Sequence, residues 1–162
     1  MRIGLIADTH NNCHALTRAL DHFREVGIET VLHAGDVTEA RLLPMLSGFD
    51  VWIAQGNMDR DPQLPFVAAE LFGSGRWQYL HELTFDGVRL ALLHGDDEER
   101  LQALCSARQH RYIIHGHTHR YADDDLGKMR VINPGALGNT RWQAPSFATL
   151  DLETDTLQQF WA

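Results

Sequence analysis

The sequence predicts an α/β fold, with a front half of alternating strands and helices joined to a strand-rich back half. Three short apolar runs, RIGLIA at 2–7, TVLHA at 30–34 and VWIAQ at 51–55, are separated by stretches of helical character. That alternation implies parallel strands joined by crossovers. After residue 77 the pattern changes: WQYLHELTF and VRLALLH flank Asp86-Gly87, a strong hairpin signal. Beyond residue 107 the segments RYIIH, RYADD, MRVINP, FATLDL and TLQQFWA read as strands separated by turns.

The elements follow in order. Asn11 or Asn12 is placed to cap a helix in which Ala15, Leu16, Ala19, Leu20, Phe23 and Val26 recur at helical spacing. Gly27 suits the position after its end. Thr38 is the expected cap of a second helix running to Leu46, which Pro44 makes short or kinked. A third helix is expected from Asp97 to about Ala107. The acidic runs at 96–99 and 123–125 read as a solvated helix start and a turn. No repeat, low-complexity tract or linker divides the chain, so a single domain over residues 1–162 is expected.

With a formal charge of -8 and no run of Lys or Arg, the chain is a poor candidate for broad nucleic-acid binding. A small phosphate-bearing substrate stays compatible if bound cations supply the positive charge. No stretch approaches the ~18 apolar residues of a membrane span, and no signal segment is evident. Two cysteines in unrelated contexts, Cys13 and Cys105, read as small packing residues and make a reducing, cytoplasmic setting the default.

Polar residues gather where the apolar runs end. The first run leads into Asp8-Thr9-His10, the second into Gly35-Asp36, and the third into Gly56-Asn57-Met58-Asp59. Later strands lead into His94-Gly95 and into HGHTH at 115–119, whose three histidines alternate. Taken singly, Asp8 reads equally as a turn cap, Asp36 as an Asx-turn residue and His94 as a satisfied buried histidine. Taken together, five strand ends bring carboxylates, an amide and imidazoles to the rim where open α/β sheets bind ligands. Hard carboxylates mixed with imidazoles, without thiolate, favour manganese, iron or zinc over calcium or magnesium. The set is too large for one tetrahedral ion. Two ions sharing one bridging carboxylate would use it fully, and such pairs hold a hydroxide and clamp a phosphoryl group for in-line attack.

The ordered blocks DTH, GD, GNMD, HG and GHTH resemble the signature of the calcineurin-like metallophosphoesterase superfamily. Chain length, the early DTH and NPGA at 133–136 are most similar to its small YfcE-type phosphodiesterases, over roughly the whole chain. The resemblance implies a four-layer αββα sandwich, two packed mixed sheets flanked by helices, with a dinuclear site at the strand ends. It implies Asp8, His10 and His119 on one ion, Asn57, His94 and His117 on the other, and Asp36 between them. Manganese is the expected metal, with iron, zinc or nickel also compatible. No block assigns a ligand role to His115, His33, His14, His22, His81 or His110. His115 reads as a strand-end or supporting group and the others as surface or packing residues. NPGA stands where relatives carry NPGS, and Asn133 is placed to support the site by a hydrogen bond.

Met58 occupies the position at which many superfamily phosphatases carry a proton-donating histidine, and a thioether donates no proton. Asp59 then acts through water or only holds the loop, while Met58 itself lines the substrate. Arg141 is either a phosphate contact or a solvated surface residue. The expected activity is hydrolysis of a small phosphodiester with a good leaving group, with Asn57 stabilising charge on the phosphoryl oxygens. The alternatives are a phosphomonoesterase acting on a small metabolite and a protein-binding scaffold of the same fold. Residues 60–78 are either a wall of the substrate site or a structural insertion, and Trp77 is a candidate oligomer contact.

Overall fold

Strand β1 (Arg2–Ile6) shows how the sequence builds layers: Ile3 and Leu5 enter one core cluster and Ile6 another, because successive strand side chains alternate faces. Gly4 lies on the outer face, where an added Cβ would sit 2.6 Å from the Phe23 ring. Phe23 belongs to α1 (Cys13–Glu25), capped by Asn12, whose side chain accepts from the Ala15 amide. In this computed structural model residues 1–141 and 143–162 are described.

The first sheet has β1, β2 (Thr30–His33), β3 (Asp50–Ala54) and β4 (Trp77–Gln78) parallel to one another. It is continued on the other side of β1 by antiparallel β10 (Ser146–Asp151) and β11 (Thr156–Trp161). The second sheet orders β5 (Leu80–Phe85), β6 (Val88–Leu93), β7 (Tyr112–Ile114), β9 (Arg130–Pro134) and β8 (Tyr121–Asp125), with β6, β7 and β9 parallel. Asp86 and Gly87, both with positive φ, close the β5–β6 hairpin, the geometry that tight hairpins favour.

Three apolar layers separate four layers of structure. One cluster packs α1, the 3-10 segment Ala40–Leu46 and α2 (Leu64–Phe72) on the first sheet. A second, including Leu5, Leu32, Leu90, Leu92 and Ile114, lies between the sheets. A third packs Leu101 and Leu104 of α3 (Glu98–Ala107) on the second sheet. This is the expected αββα arrangement of two mixed sheets flanked by helices. At the edge away from the candidate site, Arg130 reaches Asp123 at 2.7 Å and Asp155 at 2.6 Å, and Tyr112 donates to Asp155. The β10–β11 turn is thereby tied to the second sheet.

Four local expectations are corrected. The second helix is a 3-10 segment whose N-cap is Glu39, not Thr38; Thr38 has φ 79°, outside any helical start, and Pro44 interrupts the segment. WQYLHELTF is two strands, because the chain leaves the first sheet after Gln78 and enters the second at Leu80. Trp77 is half-buried against the helix-side core rather than presented outward, and its indole donates to Gln55. The acidic run at 123–125 lies on edge strand β8; the turn follows it, where the Leu126 amide bonds the Met129 carbonyl. Residues 64–72 of the stretch left open between wall and insertion form α2, packed on the 3-10 segment and the first sheet. Among the described residues no helix is long and apolar enough to cross a membrane.

Candidate metal centre

All seven expected ligands lie at carboxyl ends of parallel strands, three strands contributing from the first sheet and two from the second. β1 delivers Asp8 and His10, β2 Asp36, β3 Asn57, β6 His94, and β7 His117 and His119. Five of these residues have left-handed backbone: Asp8 (φ 50°), His10 (42°), Asp36 (59°), His117 (66°) and His119 (57°). Such conformations cost roughly 1–3 kcal/mol each and concentrate at functional sites. They are held by amides: Asp8 N–H donates to Gly35 O at 2.9 Å, His10 N–H to Asp36 O at 3.0 Å, and His117 N–H to Asp8 Oδ2 at 3.1 Å. The glycine of the GN block is required by close approach. A Cβ on Gly56 would lie 2.1 Å from Asp36 Oδ1 and 2.5 Å from its amide nitrogen.

The side chains form two groups that meet at one carboxylate oxygen. Ligand atoms of Asp8, His10, Asp36 and His119 all lie within 4.8 Å of one another. Asp36 Oδ2 is 3.5 Å from His10 Nε2 and 3.5 Å from His94 Nε2. His94 Nε2 in turn lies 3.1 Å from Asn57 Oδ1 and 3.3 Å from His117 Nδ1. The other oxygen of Asp36 accepts from the Met58 amide at 2.9 Å, which fixes the carboxylate plane.

The hydrogen bonds behind the rings define what this arrangement accepts. His94 Nδ1 faces the Ala34 carbonyl at 2.8 Å and His119 Nδ1 the Asn139 carbonyl at 3.2 Å, so those nitrogens carry the protons. Whenever Nε2 is unprotonated, these rings turn lone pairs inward. His94 Nε2 points at two oxygens and a nitrogen, and His119 Nε2 at Asp8 Oδ1 (3.4 Å) and His10 Nε2 (3.2 Å). Converging lone pairs require a cation between them, either protons or metal ions, and the donor set fits divalent metals.

The pKa shifts report the same demand. Burial pulls His94 down, but the hydrogen bond and charge of Asp36, with the charge of Asp8, raise it to about 9. Burial opposes ionisation of Asp36 as well; its bonds to His94 and the Met58 amide nevertheless hold it below the usual range. The Asp8 hydrogen bond raises His119, whereas burial of His10 outweighs its nearby carboxylates and lowers it.

A family model of the calcineurin-like phosphoesterase superfamily domain matches residues 1–155. The chain belongs to this superfamily. It is 24% identical over 156 residues to a phosphodiesterase of Methanocaldococcus jannaschii, covering 94% of each chain. Its fold superposes on that of an archaeal phosphodiesterase with a TM-score of 0.91 at 22% identity, over 100% of both chains. The YfcE phosphoesterase of E. coli superposes at 0.70 with 21% identity, over 99% of both.

Within this metallophosphoesterase fold the supporting residues are also distinct. Asn133 is fully buried; its amide donates to Gly116 O at 2.7 Å and Thr118 Oγ1 at 3.1 Å, bracing the GHTH loop. Asp59 is turned away from the ligand atoms. Its carboxylate accepts from the Gly56, Thr38 and Asp36 amides at 2.7, 2.7 and 3.1 Å, so it ties the GD and GN loops together. Burial nonetheless raises it to about 6. Met58 is exposed at the rim, as is Asn57. Arg141 lines a groove of about 240 Å³ with His117, Thr118, His119 and Asn139. His115 is buried beneath the loop.

His33 is the residue whose part was not legible. It reads as a packing histidine in an apolar strand, yet its Nδ1 accepts from the Gly35 amide at 3.1 Å. Its Nε2 therefore carries the proton and donates to Thr9 Oγ1 at 2.8 Å, between Asp8 and His10. Complete burial lowers it to about 3, so it stays neutral. The one available signal was an imidazole inside an apolar run, three residues before Asp36. His22 packs on Phe147 and Phe160, His81 bonds the Ile53 carbonyl, His110 pairs with Glu82, and His14 is exposed, as ordinary surface and packing residues do.

Proposed function

We propose that this superfamily member is a phosphodiesterase dependent on two divalent ions, with manganese as the working metal. Asp8, His10 and His119 would hold one ion, Asn57, His94 and His117 the other, and Asp36 both. The observation that carries the reading is the single oxygen Asp36 Oδ2, equidistant at 3.5 Å from a ligand nitrogen of each group. When bound, such an ion pair supplies a hydroxide nucleophile at neutral pH and positive charge for the phosphoryl oxygens.

This chain's residues do the rest. Ala34 O and Asn139 O fix the tautomers of His94 and His119, which directs their lone pairs inward. Asn57 and Arg141, both exposed beside the ligands, orient the phosphoryl oxygens, and Met58 forms an apolar rim. Neither residue after Asn57 stands as general acid: Met58 has no proton to give, and Asp59 is occupied by three amides. The substrate class that follows is a small diester whose leaving group needs no protonation, such as a phenolate. The phosphodiesterase name of the M. jannaschii relative supports diesters over monoesters.

The test compares bis(p-nitrophenyl) phosphate with p-nitrophenyl phosphate in manganese, beside Asp36→Asn. Diester turnover abolished in the variant is expected. A preference for the monoester would select the phosphatase reading instead, and no turnover with several metals would favour a scaffold.

A further inference from the structure

A cavity of about 280 Å³ opens among residues that neighbour two expected ligands in the chain. It is lined by Gln55, Tyr79, Leu93, Gly95, Asp96 and Arg100. Leu93 and Gly95 flank His94 in the chain, and Gln55 precedes Asn57 by two residues; Asn57 Oδ1 and His94 Nε2 are 3.1 Å apart. The cavity thus draws on the strand ends that carry Asn57 and His94, while the groove is lined by His117 and His119 after β7. A phosphodiester carries two substituents, and the two recesses offer one place to each.

The lining defines what enters. Tyr79 is 65% exposed and makes no hydrogen bond or ring contact among the described residues, leaving a flat aromatic face for stacking. Leu93, buried, supplies an apolar floor. Asp97, also at this cavity, is consumed: one oxygen caps the Arg100 amide at 3.0 Å and the other pairs with Arg100 Nε at 3.3 Å. Asp96 has no such partner among the described residues and, as a carboxylate, accepts only N–H or O–H donors. Gln55 uses its oxygen on the Trp77 indole, so its amide group is left to donate. Two aspartates against one arginine make the recess unfavourable for a second phosphate. Its volume, near the lower limit of about 300 Å³ for small-ligand pockets, suits one ring system rather than an oligomer.

We propose that the Tyr79–Asp96 cavity binds one uncharged arm of the diester, a nucleobase-type ring that stacks on Tyr79 and donates N–H groups to Asp96. The inference rests on the phosphodiesterase reading and names its substrate class: a nucleoside phosphodiester with a single phosphate.

Thymidine 5′-(p-nitrophenyl phosphate) and methyl p-nitrophenyl phosphate share the phosphate and leaving group and differ only in the other arm. With the manganese-loaded protein, kcat/KM for the nucleoside ester should exceed that for the methyl ester by about tenfold, through KM, the scale of one stacked base. Tyr79→Ala should remove most of that ratio and Tyr79→Phe retain it. Equal kcat/KM for the two esters, or a ratio that Tyr79→Ala leaves intact, overturns the cavity assignment alone. Hydrolysis of neither ester overturns the phosphodiesterase reading beneath it.

Discussion

In the proposed reaction Met58 and Asp59 stand where the leaving group would be protonated, and neither is equipped for it. The Met58 side chain is exposed at the rim while its amide is spent on Asp36. Met58→His restores an ionisable group beside the centre. Alkyl diesters, which need a proton on departure, should gain about 10²-fold relative to aryl diesters, the lower end of general acid catalysis. An unchanged alkyl-to-aryl ratio would show that the position cannot reach the leaving oxygen. Asp59→Ala makes the complementary test. Losing three amide bonds to a buried carboxylate should destabilise the protein by about 2–3 kcal/mol and reduce turnover of aryl and alkyl esters by the same factor, since the role is to hold loops. A selective loss on alkyl esters would make Asp59 the acid.

At the scale of elements, the site depends on loops approaching more closely than side chains allow. Gly56→Ala would drive a methyl group into Asp36, so manganese binding measured by calorimetry should fall by at least one ion per chain. Full stoichiometry would mean that the GN loop yields. Most of this architecture was legible because each expected ligand follows an apolar run, and burial at a strand end leaves few uses for Asp8, Asp36 or His94. Where the sequence misled, a short-range signal competed with a tertiary one. Trp77-Gln78 and Leu80–Phe85 read as one strand since nothing local marks a crossing between sheets. Helix α2 was hidden by Pro65 and a nearly uniform apolar composition, and the expected Thr38 cap failed because that residue is held at positive φ by Asp59. His33 was unreadable because its hydrogen bonds are made across β1 and the following turn.

For the whole molecule, the buried histidines set a pH dependence of stability with two limbs. His10, His33, His81 and His115 are lowered by burial. Unfolded, each takes up a proton near its ordinary value of 6.5; folded, it does not, so their contribution is lost as pH falls below 6.5. His33, lowered to about 3, accounts for roughly 1.4 kcal/mol per pH unit across that window. Asp59, raised to about 6, offsets part of the loss between 3.8 and 6. His94 acts on the other side. Raised to about 9, it contributes fully below 6.5 and loses that contribution as pH rises to about 9. The metal-free protein should therefore be most stable near pH 6.5, and saturating manganese, taking the proton's place, should flatten the alkaline limb. Urea midpoints at pH 5, 6.5 and 9, with chelator and with manganese, check this; stability rising from 6.5 to 9 in chelator would contradict it.

The proposed dinuclear centre stands or falls on Asp36 holding both ions. The most direct measurement is electron paramagnetic resonance of the protein titrated with manganese(II). Wild type should bind two ions per chain and give an exchange-coupled spectrum at two equivalents, whereas Asp36→Ala should show only isolated ions. A single uncoupled ion in the wild type at saturation would contradict a carboxylate shared between two ions.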